Sequence, residues 1–366
     1  MRYFFSIFLF GFGASTVHSQ LMEPAVSPIV HADRSVTFAL HAPNADSVHV
    51  KPHPGEPLMA TRDSSGTWHA RSGPLEPGVH FYSFSVDGLI ICDPVNPFVH
   101  GSLFHNASGV VVPGDTPHFA EEQDVPRGQI HLHRHVSELF GDTRGYAVYT
   151  PPGYEAHPEK RYPTLYLLHG YSDHERTWSN TGRAGVIMDN LIAEGTATPM
   201  VIVMPYGYAP PAEGDNSGEW WDWFSAVSSR LEPYIVTELR KRIEVEYRVG
   251  IAARSRAIAG LSMGGGQSLF FGLKNTDVYN WIGAFSSAIH LPFFQPLLSE
   301  ATKFNEDLSL LWVGCGTEDF LYERNNDFLK ALEKNEIVHV AQITPGKHAW
   351  PIWHTHLREF AALLFK

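Results

Sequence analysis

The sequence predicts an all-β sandwich followed by an α/β domain with a mostly parallel sheet. Short alternating segments, broken by turn residues, occupy the chain up to about residue 114. Apolar strands then alternate with helix-compatible stretches, which is the order of βα units. The length of 366 residues suits two domains, since one domain commonly runs ~100–200 residues.

An export signal is predicted for residues 1–19. Arg2 supplies a positive end, residues 4–14 form an apolar core, and residues 17–19 suit a cut near Gln20. A membrane-spanning helix needs ~20 apolar residues, which makes an anchor the weaker interpretation. The protein is therefore expected to be secreted or periplasmic.

The β-sandwich is predicted over residues 24–114. Residues 35–40, 47–50 and 80–86 alternate apolar and polar side chains, as half-buried strands do. Residues 115–127 form a short linker that contains proline, so the two domains are expected to keep a fixed relation.

The α/β domain is predicted over residues 128–366. Strands are expected at 146–149, 164–168 and 200–204, and later at 308–316 and 338–343. Helices are expected near 185–193 and 231–247 and, at the end of the chain, near 353–365.

Residues 260–266 read Gly-Leu-Ser-Met-Gly-Gly-Gly, between an apolar run and a helix-compatible stretch. Ser262 therefore stands at the apex of a sharp strand-to-helix turn, where glycines let strand and helix pass closely. This G-x-S-x-G pattern predicts a serine nucleophile. In a chain with 31 glycines the same pattern could also be an ordinary turn. The assignment of Ser262 as a nucleophile therefore depends on whether a histidine and a carboxylate follow at suitable positions.

A serine nucleophile needs a histidine base and a carboxylate that orients the histidine. Glu318 and Asp319 follow the strand at 308–316, and His348 follows the strand at 338–343. The carboxyl ends of parallel strands gather catalytic loops at one sheet edge. We predict Ser262 as nucleophile, Asp319 as acid and His348 as base, although spacing alone leaves Glu318 open.

The competing histidines lie elsewhere in the pattern. The chain has 21 histidines, and His354 and His356 fall on the expected terminal helix rather than in a loop after a strand. His348 is preferred for its position.

Five blocks of the second domain occur in the order seen in the esterase D group of α/β-hydrolases. They are Tyr-Thr-Pro-Pro-Gly-Tyr at 149–154, Leu-Leu-His-Gly-Tyr at 167–171, Gly-Leu-Ser-Met-Gly-Gly at 260–265, Gly-Cys-Gly-Thr-Glu-Asp at 314–319 and His-Ala-Trp-Pro at 348–351. From about residue 128 the chain resembles this group, and within it the family 1 carbohydrate esterases, which include feruloyl and acetylxylan esterases. The resemblance implies an α/β-hydrolase fold and the same triad, with Asp319 in place of Glu318.

The resemblance also implies an oxyanion hole from the backbone N–H groups of Tyr171 and Met263. Met263 would begin the helix after the serine, where unpaired N–H groups and the helix dipole favour negative charge. One such donor contributes about 3–4 kcal/mol to transition-state stabilisation.

The first domain resembles the immunoglobulin-like early-set modules classed as family 48 carbohydrate-binding modules. The similar runs are 38–45, 74–78, 86–88 and 93–97. The resemblance implies a module associated with polysaccharide. Many such modules only pack against their neighbour, so the sequence leaves open whether this one binds sugar.

Aromatic residues mark a candidate substrate surface. Residues 219–224 read Glu-Trp-Trp-Asp-Trp-Phe, and we expect them in a loop at the catalytic edge. Trp221, Trp223 and Trp350 are the substrate-binding candidates, with a buried aromatic cluster as the alternative.

The net charge and the positions of possible metal ligands limit the classes of molecule that the protein is expected to bind. The net charge of −12 argues against nucleic acid and anionic membranes. His131, His133 and His135 share one face of a predicted strand and could bind zinc, but no acidic partner is nearby and the resembled family uses no metal. Neither metal nor cofactor is expected. Cys92 and Cys315 are expected to be buried free thiols, with an interdomain disulfide as the alternative in an oxidising compartment.

These features predict a secreted serine esterase that removes feruloyl groups from plant cell-wall arabinoxylan. The expected partner is a feruloylated or otherwise acylated plant polysaccharide or oligosaccharide. Acetylxylan or another carboxylic ester stays as an alternative substrate, and a catalytically inactive carbohydrate-binding protein as an alternative of another class. The oligomeric state is left open.

Overall fold

The computed structural model describes residues 26–53, 55–102, 106–115, 118–210, 212 and 219–366. The predicted export signal lies outside the described residues. Within the described chain, two antiparallel sheets precede an eight-stranded mixed sheet with helices around it, which confirms the predicted fold class. No helix among these residues has the length and apolar character to cross a membrane.

Short strands build the two N-terminal sheets. In chain order they are β1 (Ile29–Val30), β2 (Val36–His41), β3 (Val48–His53), β4 (Leu58–Met59), β5 (Thr61–Arg62), β6 (Thr67–Arg71), β7 (Gly78–Val86), β8 (Leu89–Ile91), β9 (Val99–His100) and β10 (Ala107–Val112). One sheet has the order β1-β2-β6-β5, and the other has the order β4-β3-β7-β10-β9 with β8 beside β7.

The two sheets enclose an apolar core because every second residue of their strands points inward. Phe38 and Leu40 of β2 face Val50, Tyr82 and Phe84 of the other sheet. This is a β-sandwich over the region predicted. Its assignment to the early-set class, and the exact domain boundaries, stay predictions.

The second domain is built on one mixed sheet. Its strands are β11 (Gln129–Val136), β12 (Thr143–Thr150), β13 (Thr164–Leu168), β14 (Val201–Pro205), β15 (Arg256–Leu261), β16 (Trp281–Phe285), β17 (Leu310–Gly316) and β18 (Val340–Thr344). Their order is β11-β12-β14-β13-β15-β16-β17-β18. β12 is antiparallel to both of its neighbours, β11 and β14, and all pairs from β14 to β18 are parallel.

Helices cover both faces of this sheet. They are α1 (Thr177–Asn180), α2 (Ala184–Ala193), α3 (Trp220–Pro233), α4 (Arg240–Glu246), α5 (Met263–Lys274), α6 (Leu291–Phe294), α7 (Ala301–Asp307), α8 (Tyr322–Lys334) and α9 (Trp350–Leu363), with a π-helical segment (Tyr234–Leu239) between α3 and α4. Because both faces are covered, the inner strands β13, β14 and β15 are buried throughout.

The tryptophan-rich segment is helical, so the expectation of a loop at residues 219–224 is wrong. Trp220 begins α3, and its ring stacks on Phe224 with centroids 5.2 Å apart. Residues four apart share a helix face, which brings these two rings together. Clustered aromatics satisfy no simple period, and the local pattern therefore did not reveal the helix.

The two domains share one apolar core. Phe81 and Val79 of β7 belong to the same buried cluster as Trp178 and Trp350 of the second domain. The contact also contains a hydrogen bond between His100 Nδ1 and Thr181 Oγ1 at 2.8 Å. The sandwich is thus packed firmly against the α/β domain, as a short linker predicts.

Candidate active site

The turn between β15 and α5 holds Ser262 in a strained conformation, with φ 52° and ψ −115°. A Cβ at residue 260 would lie 2.5 Å from the carbonyl oxygen of Gly264, and one at residue 264 would lie 2.4 Å from that of His169. Such contacts are too short for any side chain. The glycines therefore allow the close crossing that exposes the serine hydroxyl at the end of the sheet.

A chain of hydrogen bonds links Ser262 to His348 and Asp319. The Nε2 atom of His348 lies 3.0 Å from Ser262 Oγ, and its Nδ1 atom lies 2.8 Å and 2.9 Å from the two carboxylate oxygens of Asp319. The loops after β17 and β18 supply the acid and the histidine. The structure thus brings together the three residues that the sequence predicts.

Asp319 is buried and held in its ionised form. Burial alone would raise its pKa, but hydrogen bonds from His348 and from the Leu321 N–H outweigh burial and hold the pKa below its ordinary value. A carboxylate in this state accepts the Nδ1 proton of His348 and leaves Nε2 free to accept a proton from the serine. Glu318 is exposed and lines the neighbouring cavity.

The two other histidines weighed from the sequence, His354 and His356, are fully buried on α9. Burial lowers the pKa of each to about 4, so both are neutral near pH 7. Nε2 of His354 lies 3.0 Å from the Thr181 carbonyl oxygen, which places this ring in the core.

The predicted oxyanion donors flank the serine. Met263 is the first residue of α5, where the N–H has no partner inside the helix. Tyr171 follows Gly170 in the loop after β13, and a Cβ at residue 170 would lie 3.6 Å from Ser262 Cβ. The structure thus places both residues beside Ser262.

His169 fixes this loop, a role that the sequence did not reveal. Its Nδ1 lies 2.8 Å from the Gly170 carbonyl oxygen, and its Nε2 accepts a hydrogen bond of 2.8 Å from the Gly207 N–H. Burial lowers the pKa of His169 to about 4, so the ring is neutral and donates through Nδ1. The loop that carries Tyr171 is thereby tied to the segment after β14.

A cavity of about 590 Å³ opens at Ser262, within the size range of small-molecule sites. Both domains line it, which the sequence could not show. The sandwich contributes His53, Val79, His80, Phe81, His100 and Ala107. The α/β domain contributes, among others, Tyr171, Asp173, Phe320, His348, Trp350 and Trp353.

The three tryptophan candidates are placed differently. Trp350 is buried and lines the cavity. Trp223 is outside the lining, but its ring contacts Tyr171 with centroids 5.5 Å apart. Trp221 stacks on His290 at 5.3 Å, with the Arg324 guanidinium over its face. A substrate role for each stays a prediction.

The three histidines of β11 contact neighbouring side chains. His131 lies 3.1 Å from Thr150 Oγ1, His133 lies 2.6 Å from the Tyr247 hydroxyl, and His135 lies 3.4 Å from Glu238. Within the described ranges, no group of three or more histidine, cysteine or acidic residues is arranged to hold a metal ion.

The family model described as "Putative esterase" matches residues 137–362. The chain belongs to this esterase family. The match contains Ser262, Asp319 and His348, and it excludes the N-terminal sandwich.

Curated proteins of known name are also similar to this chain. An endo-1,4-beta-xylanase/feruloyl esterase of Xylanibacter ruminicola is 30% identical over 347 residues, which are 93% of this chain and 46% of that protein. The chain spans less than half the length of the curated relatives that it matches.

Solved structures share the fold. A ferulic acid esterase, 27% identical, has a TM-score of 0.56 and covers 64% of this chain and 97% of its own. The enterobactin esterase FES of Shigella flexneri, 16% identical, has a TM-score of 0.66 over 90% of this chain and 92% of its own. The second likeness covers so much of the chain that it must include most of the sandwich.

Proposed function

We propose that this protein is a secreted or periplasmic serine esterase that removes feruloyl groups from plant cell-wall polysaccharide. The observation that carries the proposal is the hydrogen-bond chain from Ser262 through His348 to Asp319 at the end of a cavity. Membership of an esterase family supports ester hydrolysis. The feruloyl group is supported by the names of the Xylanibacter relative and of the solved ferulic acid esterase.

In the proposed reaction, Ser262 Oγ attacks the ester carbonyl while His348 Nε2 takes the serine proton. Asp319 stabilises the imidazolium that forms. The oxyanion is stabilised by the N–H groups of Tyr171 and Met263. His348 then returns the proton to the leaving sugar hydroxyl, and water activated by the same residue cleaves the acyl-enzyme.

The cavity walls suit an aromatic acyl group. Phe81, Trp350 and Trp353 line it, and the Phe320 ring lies 4.5 Å from the His348 ring. Aromatic rings prefer edge-to-face or offset contacts with one another. An acetyl group would leave most of a cavity of about 590 Å³ empty, which favours the feruloyl ester over the acetyl ester.

The assembled hydrogen-bond chain also argues against an inactive carbohydrate-binding protein. A domain kept only for binding has no need of a serine, a histidine and a buried carboxylate within hydrogen-bond distance of one another. The sandwich faces the same cavity, and we expect it to contact the sugar or the acyl group during catalysis.

The decisive experiment compares kcat/KM for methyl ferulate and for an acetylated xylo-oligosaccharide, with ferulate and acetate measured as products. We expect methyl ferulate to be hydrolysed at least tenfold faster, since only an aromatic acyl group can pack against the aromatic walls of the cavity. A preference for the acetyl ester would replace the feruloyl assignment with the acetylxylan alternative. Hydrolysis of neither ester would refute the esterase proposal.

A further inference from the structure

A buried carboxyl group beside Ser262 takes no part in the reaction described above. We propose that Asp173 is a further catalytic residue, which works as a neutral hydrogen-bond donor to an oxygen of the reacting ester and blocks turnover when it ionises. The inference rests on the proposed esterase function. Catalysis would then require a protonated Asp173 carboxyl group together with an unprotonated His348 imidazole.

The position of Asp173 carries the inference. Asp173 is only 7% exposed, and it lines the cavity that holds Ser262. A Cβ at residue 170 would lie 3.4 Å from Asp173 Oδ2 and 3.6 Å from Ser262 Cβ. The carboxyl group and the Ser262 side chain therefore both lie close to the side of Gly170 that carries no side chain, next to Leu261.

The loop itself is held in place. The Asp173 N–H donates to the Gly170 carbonyl oxygen at 3.3 Å, and the Ser172 N–H donates to the Tyr208 hydroxyl at 2.6 Å. Ser172 adopts a left-handed conformation with φ 73°. The carboxyl group is thus directed by a fixed turn rather than by a flexible segment.

The charges around Asp173 do not neutralise it. Among the described residues, no lysine, arginine or histidine forms an ion pair with it; the nearby cations Arg144, Arg176 and His348 pair with Asp142, Glu175 and Asp319. Groups of the α/β domain that share the cavity or the loop are Tyr171, His174, Tyr208, Glu318, Lys347 and His348. From the sandwich, His53, His80 and His100 face the cavity.

Burial then decides the protonation state. Removal from water raises the pKa of Asp173 to about 7, against a smaller opposite effect of the hydrogen bond from the Gly170 backbone. A neutral carboxyl group can donate to an ester oxygen on which negative charge develops. An ionised one repels that charge at short range and cannot donate, so both effects lower the rate as the pH rises.

The test is the pH profile of kcat/KM on methyl ferulate between pH 5 and 9. For the unsubstituted protein we expect kcat/KM to decrease roughly 100-fold from pH 6 to pH 9, because Asp173, with a pKa of about 7, loses its proton. Asp173→Asn, which cannot ionise, should lose this alkaline decrease when scaled to its own rate at pH 6. Glu318→Gln removes a carboxylate from the same cavity and should keep the decrease.

An alkaline decrease that persists in Asp173→Asn, or a full-length profile that is flat to pH 9, would overturn the proposal. A second readout does not need turnover. The infrared difference spectrum between the unsubstituted protein and Asp173→Asn should show the band of a protonated carboxyl group at pH 6, and this band should disappear by pH 8. Absence of that band refutes the role of Asp173, whereas a full chain that shows the band but hydrolyses no ester refutes the proposed function.

Discussion

The imidazole of His100 packs edge-on against the indole of Trp350, with ring centroids 6.2 Å apart and an interplanar angle of 68°. The two rings belong to different domains, and both line the cavity at Ser262. His100 also contacts Phe81, with centroids 5.8 Å apart. The sandwich is therefore a wall of the candidate active site as well as a packed neighbour.

Two phenylalanines of β7 can separate these roles. Phe81 lines the cavity, whereas Phe84 is buried between the two sheets of the sandwich. Each substitution to alanine should lower the free energy of unfolding by ~3–5 kcal/mol. Only Phe81→Ala should also raise KM for methyl ferulate, because only that ring faces the substrate. Denaturant unfolding and steady-state kinetics check both parts, and equal KM values in the two variants would reduce the sandwich to a packing role.

Substitution of the nucleophile should abolish turnover without unfolding the protein. Ser262→Ala is expected to lower kcat by a factor of ~10⁴ or more, as in serine hydrolases with a broken triad. Ser299→Ala, at an exposed serine, is the matched control. Initial rates and thermal unfolding of both variants test this, and a residual rate close to that of the control would place the chemistry elsewhere.

The two neighbouring acids should differ sharply. Asp319→Asn is expected to lower kcat by ~10⁴-fold, because an amide cannot hold the required tautomer of His348 or stabilise its charged form. Glu318→Gln should cost far less, since this side chain is exposed and the hydrogen bonds of His348 go to Asp319. Measurement of kcat for both variants tests this prediction. A larger loss of kcat in Glu318→Gln than in Asp319→Asn would make Glu318 the catalytic acid.

Asp173 should also make stability depend on pH. With a pKa of about 7 in the folded state, it keeps a proton that the unfolded chain releases near pH 4. Raising the pH from about 4 to about 7 therefore favours unfolding, by ~2–4 kcal/mol for this one group. Asp173→Asn should gain stability relative to the full chain at pH 8 but not at pH 4.

Urea unfolding at the two pH values measures this difference. Asp327→Asn, at an exposed aspartate, serves as the control and should show no such change. If Asp173→Asn behaves like the control, the carboxyl group is already ionised in the folded protein at neutral pH, and burial does not govern it.

Local pattern was sufficient for much of the fold. The strand expected at 164–168 coincides with β13, and the helix expected near 185–193 lies within α2. Both follow from side-chain periodicity, which a short window of sequence contains. The start of α3 was missed because a run of adjacent aromatic residues fits neither period.

For the candidate site, too, some features follow from the sequence and others only from the tertiary structure. By itself the sequence determined the chemical types and their order: a serine between glycines, then acidic residues after one strand, then a histidine after the next. Only the tertiary structure decided that His348 hydrogen-bonds to Asp319 and not to Glu318, that the sandwich supplies Phe81 and His100 to the cavity, and that Asp173 is buried beside Ser262. The physical reason is distance. Periodicity acts between residues a few positions apart, whereas hydrogen bonding and desolvation depend on which remote segments meet when the sheet assembles.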